Sequence, residues 1–70
     1  MGNRLQIVIN GQVQTLAGPC SIADVLKERG LDPGRVAIEH NTNVLLREQL
    51  ATIQLQAGDT LEIVQFVGGG

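Results

Sequence analysis

Tryptophan and tyrosine are absent from this sequence, and phenylalanine occurs once, as Phe66. A core without aromatics must be built from branched aliphatic side chains, and the Leu, Ile and Val that dominate here favour strands. The same absence removes the stacking platforms on which nucleic acids are gripped. Basic charge is also scarce: five Lys and Arg stand against seven Asp and Glu, for a net charge of −2. The basic residues are scattered, so the footprint of a nucleic-acid binder is missing and no nucleic acid is expected as a partner. No apolar run approaches the roughly 20 residues that cross a bilayer, and the N-terminus lacks the apolar stretch of a signal peptide. A soluble, cytoplasmic protein with no membrane partner is the expectation. The opening MGNRLQ has Gln6 where a myristoylation signal needs Ser or Thr. One cysteine, Cys20, cannot form an internal disulfide, and with one histidine, His40, it falls short of a zinc site, so no metal is expected.

What is present fits one small domain. At 70 residues, a chain buries only about 60% of its unfolded surface and has no room for a deep pocket. RLQIVINGQVQTL reads as a hairpin, because Asn10-Gly11 supplies the two positive-φ positions of a type I′ turn. That register places Leu5, Ile7, Ile9 and Leu16 on one face and Val8 and Val13 on the other. In GPCSIADVLKERGLDPG, Ser21 is the expected N-cap, with Asp24 as an acidic capping-box partner, of a short helix over residues 22–29. Ile22, Val25 and Leu26 form its apolar stripe, Gly30 supplies the left-handed stop, and Asp32-Pro33-Gly34 forces a turn. RVAIEHN alternates as a third strand ending at the turn-prone NTN. VLLREQLATIQLQAGD is less regular, with a short strand or turn around Val44 to Leu46 and a loop anchored by Leu50, Ile53 and Leu55. Ala57-Gly58-Asp59 then turns into a last strand, TLEIVQFV.

The order β-β-α-β-(β)-β, with one short helix across a mixed sheet, is an α+β roll and matches the β-grasp, or ubiquitin-like, architecture. The expected division is a β-grasp domain over residues 1–67 and a flexible tail over 68–70.

That tail, Gly68-Gly69-Gly70, follows the last strand directly. Glycines offer a side-chain-free backbone able to enter a narrow channel. An α-carboxylate on Gly70, ionised at neutral pH, is able to attack the α-phosphate of ATP once a partner positions both. The resulting acyl-adenylate is able to accept sulfur and become a thiocarboxylate. The chain itself holds no phosphate loop, no paired catalytic carboxylates and no Ser/His/Asp or Cys/His set, so it is expected to be a substrate of enzymes and to bind no cofactor of its own.

The Asn10-Gly11 hairpin, the Ser21-to-Leu26 helix opening, GDTLEIVQFV and the final three glycines together resemble the ThiS family within the wider ThiS/MoaD group. NTNVLLREQ is similar to the family segment in which an Asn turn precedes an apolar pair and Arg, here Val44 to Arg47, with NTN in place of the commoner Asn-Gly. The resemblance implies a sulfur carrier for the thiazole ring of thiamine. An E1-like adenylyltransferase of ThiF type would use ATP to adenylate Gly70, a cysteine-derived sulfur donor would convert it to the thiocarboxylate, and a thiazole synthase of ThiG type would receive the sulfur. A MoaD-like carrier for molybdopterin, a ubiquitin-like protein modifier and a plain binding module with an inert tail are the alternatives.

A single helix covers only one face of a small sheet, so Leu61 and Ile63 are expected beneath it and Val64 and Phe66 outward, with Val67 extending a partner-docking patch. The alternative is a last strand buried on both faces. Cys20 precedes the N-cap, where a helix dipole favours a thiolate; a small half-buried residue is the simpler expectation. His40 is expected to cap or meet solvent, and Glu39, Glu48 and Glu62 to form a solvated acidic surface that also steers towards a basic partner.

Overall fold

The computed structural model describes residues 3–67. Strands β1 (Asn3–Ile9) and β2 (Gln12–Gly18) are joined by Asn10 at φ 50° and Gly11 at φ 82°, the paired positive values of a type I′ turn. Leu5 lies opposite Leu16, Val8 opposite Val13 and Ile9 opposite Gln12, as the two-residue turn requires.

Helix α1 (Ile22–Glu28) opens on a complete capping box: the Asp24 amide donates to Ser21 Oγ at 3.1 Å, and the Ser21 amide donates to Asp24 Oδ2 at 2.9 Å. It closes one residue earlier than the apolar spacing suggests, because Arg29 already has capping geometry. Gly30, at φ 71°, lets the Gly30 amide reach Lys27 O at 3.1 Å and the Leu31 amide reach Leu26 O at 2.8 Å, which satisfies the last carbonyls.

A 3₁₀ turn at Pro33–Arg35 leads into β3 (Val36–His40), which pairs antiparallel with the two-residue β4 (Asn43–Val44). A second 3₁₀ turn, Arg47–Gln49, follows; periodicity does not reveal so short a piece. The last strand, β5 (Thr60–Gln65), stops before Phe66, although the Phe66 amide still donates to Arg35 O at 2.8 Å.

The five strands form one mixed sheet in the order β2-β1-β5-β3-β4. β5 is central, parallel to β1 and antiparallel to β3. α1 and the 45–55 segment cover one face, burying Ile7, Ile9, Ile22, Val25, Leu26, Ile38, Leu50, Leu55 and Leu61. Each such side chain contributes about 1.5–3 kcal/mol by leaving water. The architecture is the β-grasp fold, and Leu50, Ile53 and Leu55 anchor the irregular loop to its core as expected. Among the described residues no helix is long and apolar enough to cross a membrane.

Candidate interaction face and tail exit

The opposite sheet face carries no helix. Register gives its composition: Val8 aligns with Thr60, Glu39 lies opposite Glu62, Ala37 opposite Val64, and Val44 opposite Glu39. Alternation along β5 sinks Leu61 completely and leaves Val64 59% and Phe66 54% exposed, with Val67 at 98%. Val64 and Phe66, expected outward, therefore lie outward, and Val67, past the end of β5, is exposed as well. Two more are exposed with them: Val44 in β4, on the far side of β3, and Leu46, two residues on along extended backbone. The sequence holds a signal for these two. Asn41 at φ 48° and Thr42 at φ 74° make the NTN segment a tight β3–β4 connection, and counting back from it sets Val44 opposite Glu39.

Gly68, Gly69 and Gly70 lie outside the described residues. What the structure shows is how the chain is aimed towards them. Backbone pairing of β5 with β1 spans only Thr60 and Leu61. Past that point the Asn10 side chain substitutes for a strand: Ile63 N–H donates to Asn10 Oδ1 at 2.7 Å, and Asn10 Nδ2 donates to Ile63 O at 3.2 Å. The same asparagine thus makes the hairpin turn and holds β5 on its β1 side.

A second clamp fixes the start of β5. His40 Nε2 and Asp59 Oδ2 are 2.9 Å apart. A carboxylate only accepts, so Nε2 carries the proton and donates. Asn41 Nδ2 donates to Asp59 Oδ1 at 3.1 Å, the Gln56 amide donates to Asp59 Oδ2 at 2.9 Å, and the Thr60 amide donates to Asn41 Oδ1 at 2.8 Å. Burial works to raise the Asp59 carboxyl, but the bonds from His40, Gln56 and Asn41, with the His40 charge, outweigh it and hold the pKa below the ordinary carboxylate value. Sequence alone read His40 as capping or meeting solvent. It missed this partner because Asp59 comes within reach only through the β3–β5 register.

Cys20 is a core residue, and burial, with Asp24 and Glu28 nearby, pushes its thiol up, away from thiolate character. The cleft beside it, between β2 and α1, is about 190 Å³ and is bordered by Leu16, Val25, Glu28 and Arg29. An adjoining depression of about 510 Å³, over Ala17, Pro19 and Lys27, is more open to solvent. Arg47, noted through the family resemblance of NTNVLLREQ, lies near Gly34, where an added Cβ would sit 3.7 Å from the guanidinium carbon. Among the described residues there is no group of three or more His, Cys, Asp or Glu placed to hold a metal ion. The geometry offers a flat apolar face and a directed strand end.

Comparison with known proteins agrees on one group. The sequence profile of the ThiS family matches residues 7–70. The chain is similar to the crystal structure of a thiamine biosynthesis protein, ThiS, from Geobacter metallireducens, with 28% identity, a TM-score of 0.78, and 94% of this chain and 100% of that one covered. The solution structure of a thiamine biosynthesis protein from the same organism gives the same identity and TM-score over 94% of this chain and 88% of that one. It is also 35% identical over 66 residues to a thiazole synthase of Paramagnetospirillum magneticum, and 32% identical over 66 residues to one of Magnetococcus marinus. These alignments cover 94% of this chain, which spans only 20% of the length of either curated relative.

Proposed function

Because the chain belongs to the ThiS family, we propose that it is the sulfur carrier of thiamine biosynthesis and that the carboxylate of Gly70 is its reacting group. An adenylating enzyme of ThiF type brings ATP; a Gly70 oxygen attacks the α-phosphorus, pyrophosphate leaves, and an acyl-adenylate forms. Sulfur delivered by a cysteine-derived donor then displaces AMP at the carbonyl carbon and yields the thiocarboxylate. Thiazole synthase consumes it. The chain acts as a protein co-substrate throughout, since its residues supply direction and docking and none of the catalysis.

The observation that carries this reading is β5, a central strand clamped at Asp59 and Ile63, with exposed Val64, Phe66 and Val67 immediately before the glycines in sequence. Glycines there let the backbone pass through a constriction that a Cβ would block. The relatives add support for thiazole over molybdopterin, because a segment like this chain makes up part of two thiazole synthases.

Removing Gly70, or adding one residue after it, is expected to abolish pyrophosphate exchange with the adenylating enzyme while the thermal melt stays in place. The reactive group moves and the core does not. Normal exchange by the shortened chain would overturn the proposal. Intact mass of protein drawn from cells with the pathway running, showing sulfur in place of one oxygen, checks the product directly.

A further inference from the structure

On the uncovered sheet face, Glu39 and Glu62 stand directly opposite each other in the β3–β5 ladder. Directly opposed residues in an antiparallel pair have their Cβ atoms roughly 4.5–5.5 Å apart, a placement that disfavours two like charges. No ion pair among the described residues relieves it. The ion pairs among the described residues are Arg35 with Asp32 and His40 with Asp59, and neither involves these glutamates. The register neighbours of the pair are Val44 beside Glu39, then Ala37 and Val64 one step along the strands, with Phe66 beyond. None of these is basic; Arg35, whose carbonyl accepts the Phe66 amide, has its guanidinium beside Asp32. Two carboxylates therefore sit against an exposed apolar band that includes Val44, Val64 and Phe66.

We infer that this face docks a basic side chain of the sulfur acceptor, seated between Glu39 and Glu62 while surrounding apolar residues of that partner cover Val44, Val64 and Phe66. The inference rests on the carrier reading and deepens it by stating the chemistry of the partner surface. An arginine suits the position, because its planar fork donates to both carboxylates at once while its faces lie against apolar neighbours. Charge complementarity speaks for this occupant over a second copy of the chain, which would bring two further carboxylates to the same place. Val64 and Phe66 supply contact area, and the glutamate pair fixes register and speeds encounter.

The test uses the full chain and the thiazole synthase of the same cell, titrated at low and at near-physiological ionic strength. The Glu39→Gln/Glu62→Gln variant is expected to bind about tenfold more weakly at low salt and to lose most of its salt dependence. Its melting temperature should equal or exceed that of the unchanged chain, since a repulsive contact is gone. Glu28→Gln, on the helix side of the molecule, controls against Glu39→Gln or Glu62→Gln made singly, one charge for one, and should leave binding as it was. Unchanged affinity and salt dependence in the double variant would overturn the inference while leaving the carrier reading standing, and so would weaker binding that tracks a lowered melt. Equal weakening by Glu28→Gln would reduce the effect to overall charge and overturn it too. If the unchanged chain fails to bind thiazole synthase at either salt concentration, the acceptor assignment falls and this inference falls with it.

Discussion

Replacing Phe66 with alanine separates the two roles a lone aromatic can have. A buried Phe costs about 3–5 kcal/mol of stability when truncated. Phe66 is half exposed just past the end of β5, so the variant should lose much less than that in a denaturant melt. In binding it should lose about 1–4 kcal/mol, the range of an interface anchor, measured per folded molecule against thiazole synthase. A large stability loss with unchanged binding would reverse the assignment. Asp59 makes a different residue-level prediction. Its folded pKa is depressed, so its contribution is present above the unfolded value near 3.8 and is lost as pH falls through the lower folded value. Asp59→Asn should lower stability at neutral pH and flatten the pH dependence of the melt below that point, with equilibrium unfolding from pH 2 to pH 6 as the measurement. The outward direction of Val64 and Phe66 was legible in the sequence, because one helix cannot cover two faces. The partnership of His40 with Asp59 was not, since it depends on which residues of β3 and β5 lie side by side.

At the scale of elements, the hairpin and α1 were legible for the same reason: each is specified by local chemistry, Asn-Gly in one case and the Ser21–Asp24 box with Gly30 in the other. The 45–55 segment was legible only as anchors. Its 3₁₀ turn is too short to show a period, and the bridge between Ser21 and Gln54 is a long-range pairing with no local mark. Asn10 belongs to both categories. Its role in the turn was readable, while its two bonds to Ile63 were not, because they span 53 positions of chain. Asn10→Gly isolates the second role, since Gly-Gly still satisfies a type I′ turn. The variant is expected to lose about 1 kcal/mol, each of the two exposed side-chain bonds being worth of order 0.5–1.5 kcal/mol at most. Amide hydrogen exchange should quicken at Ile63 and remain unchanged within the β1–β2 ladder. Uniform loss of protection across the sheet would mean that the turn itself had failed.

For the whole molecule, area sets the limit. A specific interface takes roughly 800 Å² from each partner, and this chain exposes 4878 Å² in all. The apolar band on the open sheet face is one patch, so the adenylating enzyme and thiazole synthase are expected to displace each other from it. Competition in a binding assay checks this, and a stable complex of all three would refute the shared surface. The central place of β5 carries one more consequence, which is mechanical. On the proposed reading, a partner that takes hold of the chain beyond Val67 loads β5 directly. That strand is flanked on one side by parallel β1, reinforced by Asn10, and on the other by antiparallel β3. Tension along it must slide rows of hydrogen bonds past one another together, whereas an edge strand pulled outward would unzip one bond at a time. The fold gives the tail a root that shears instead of peeling, so a threading partner can haul on it without unravelling the domain it is attached to.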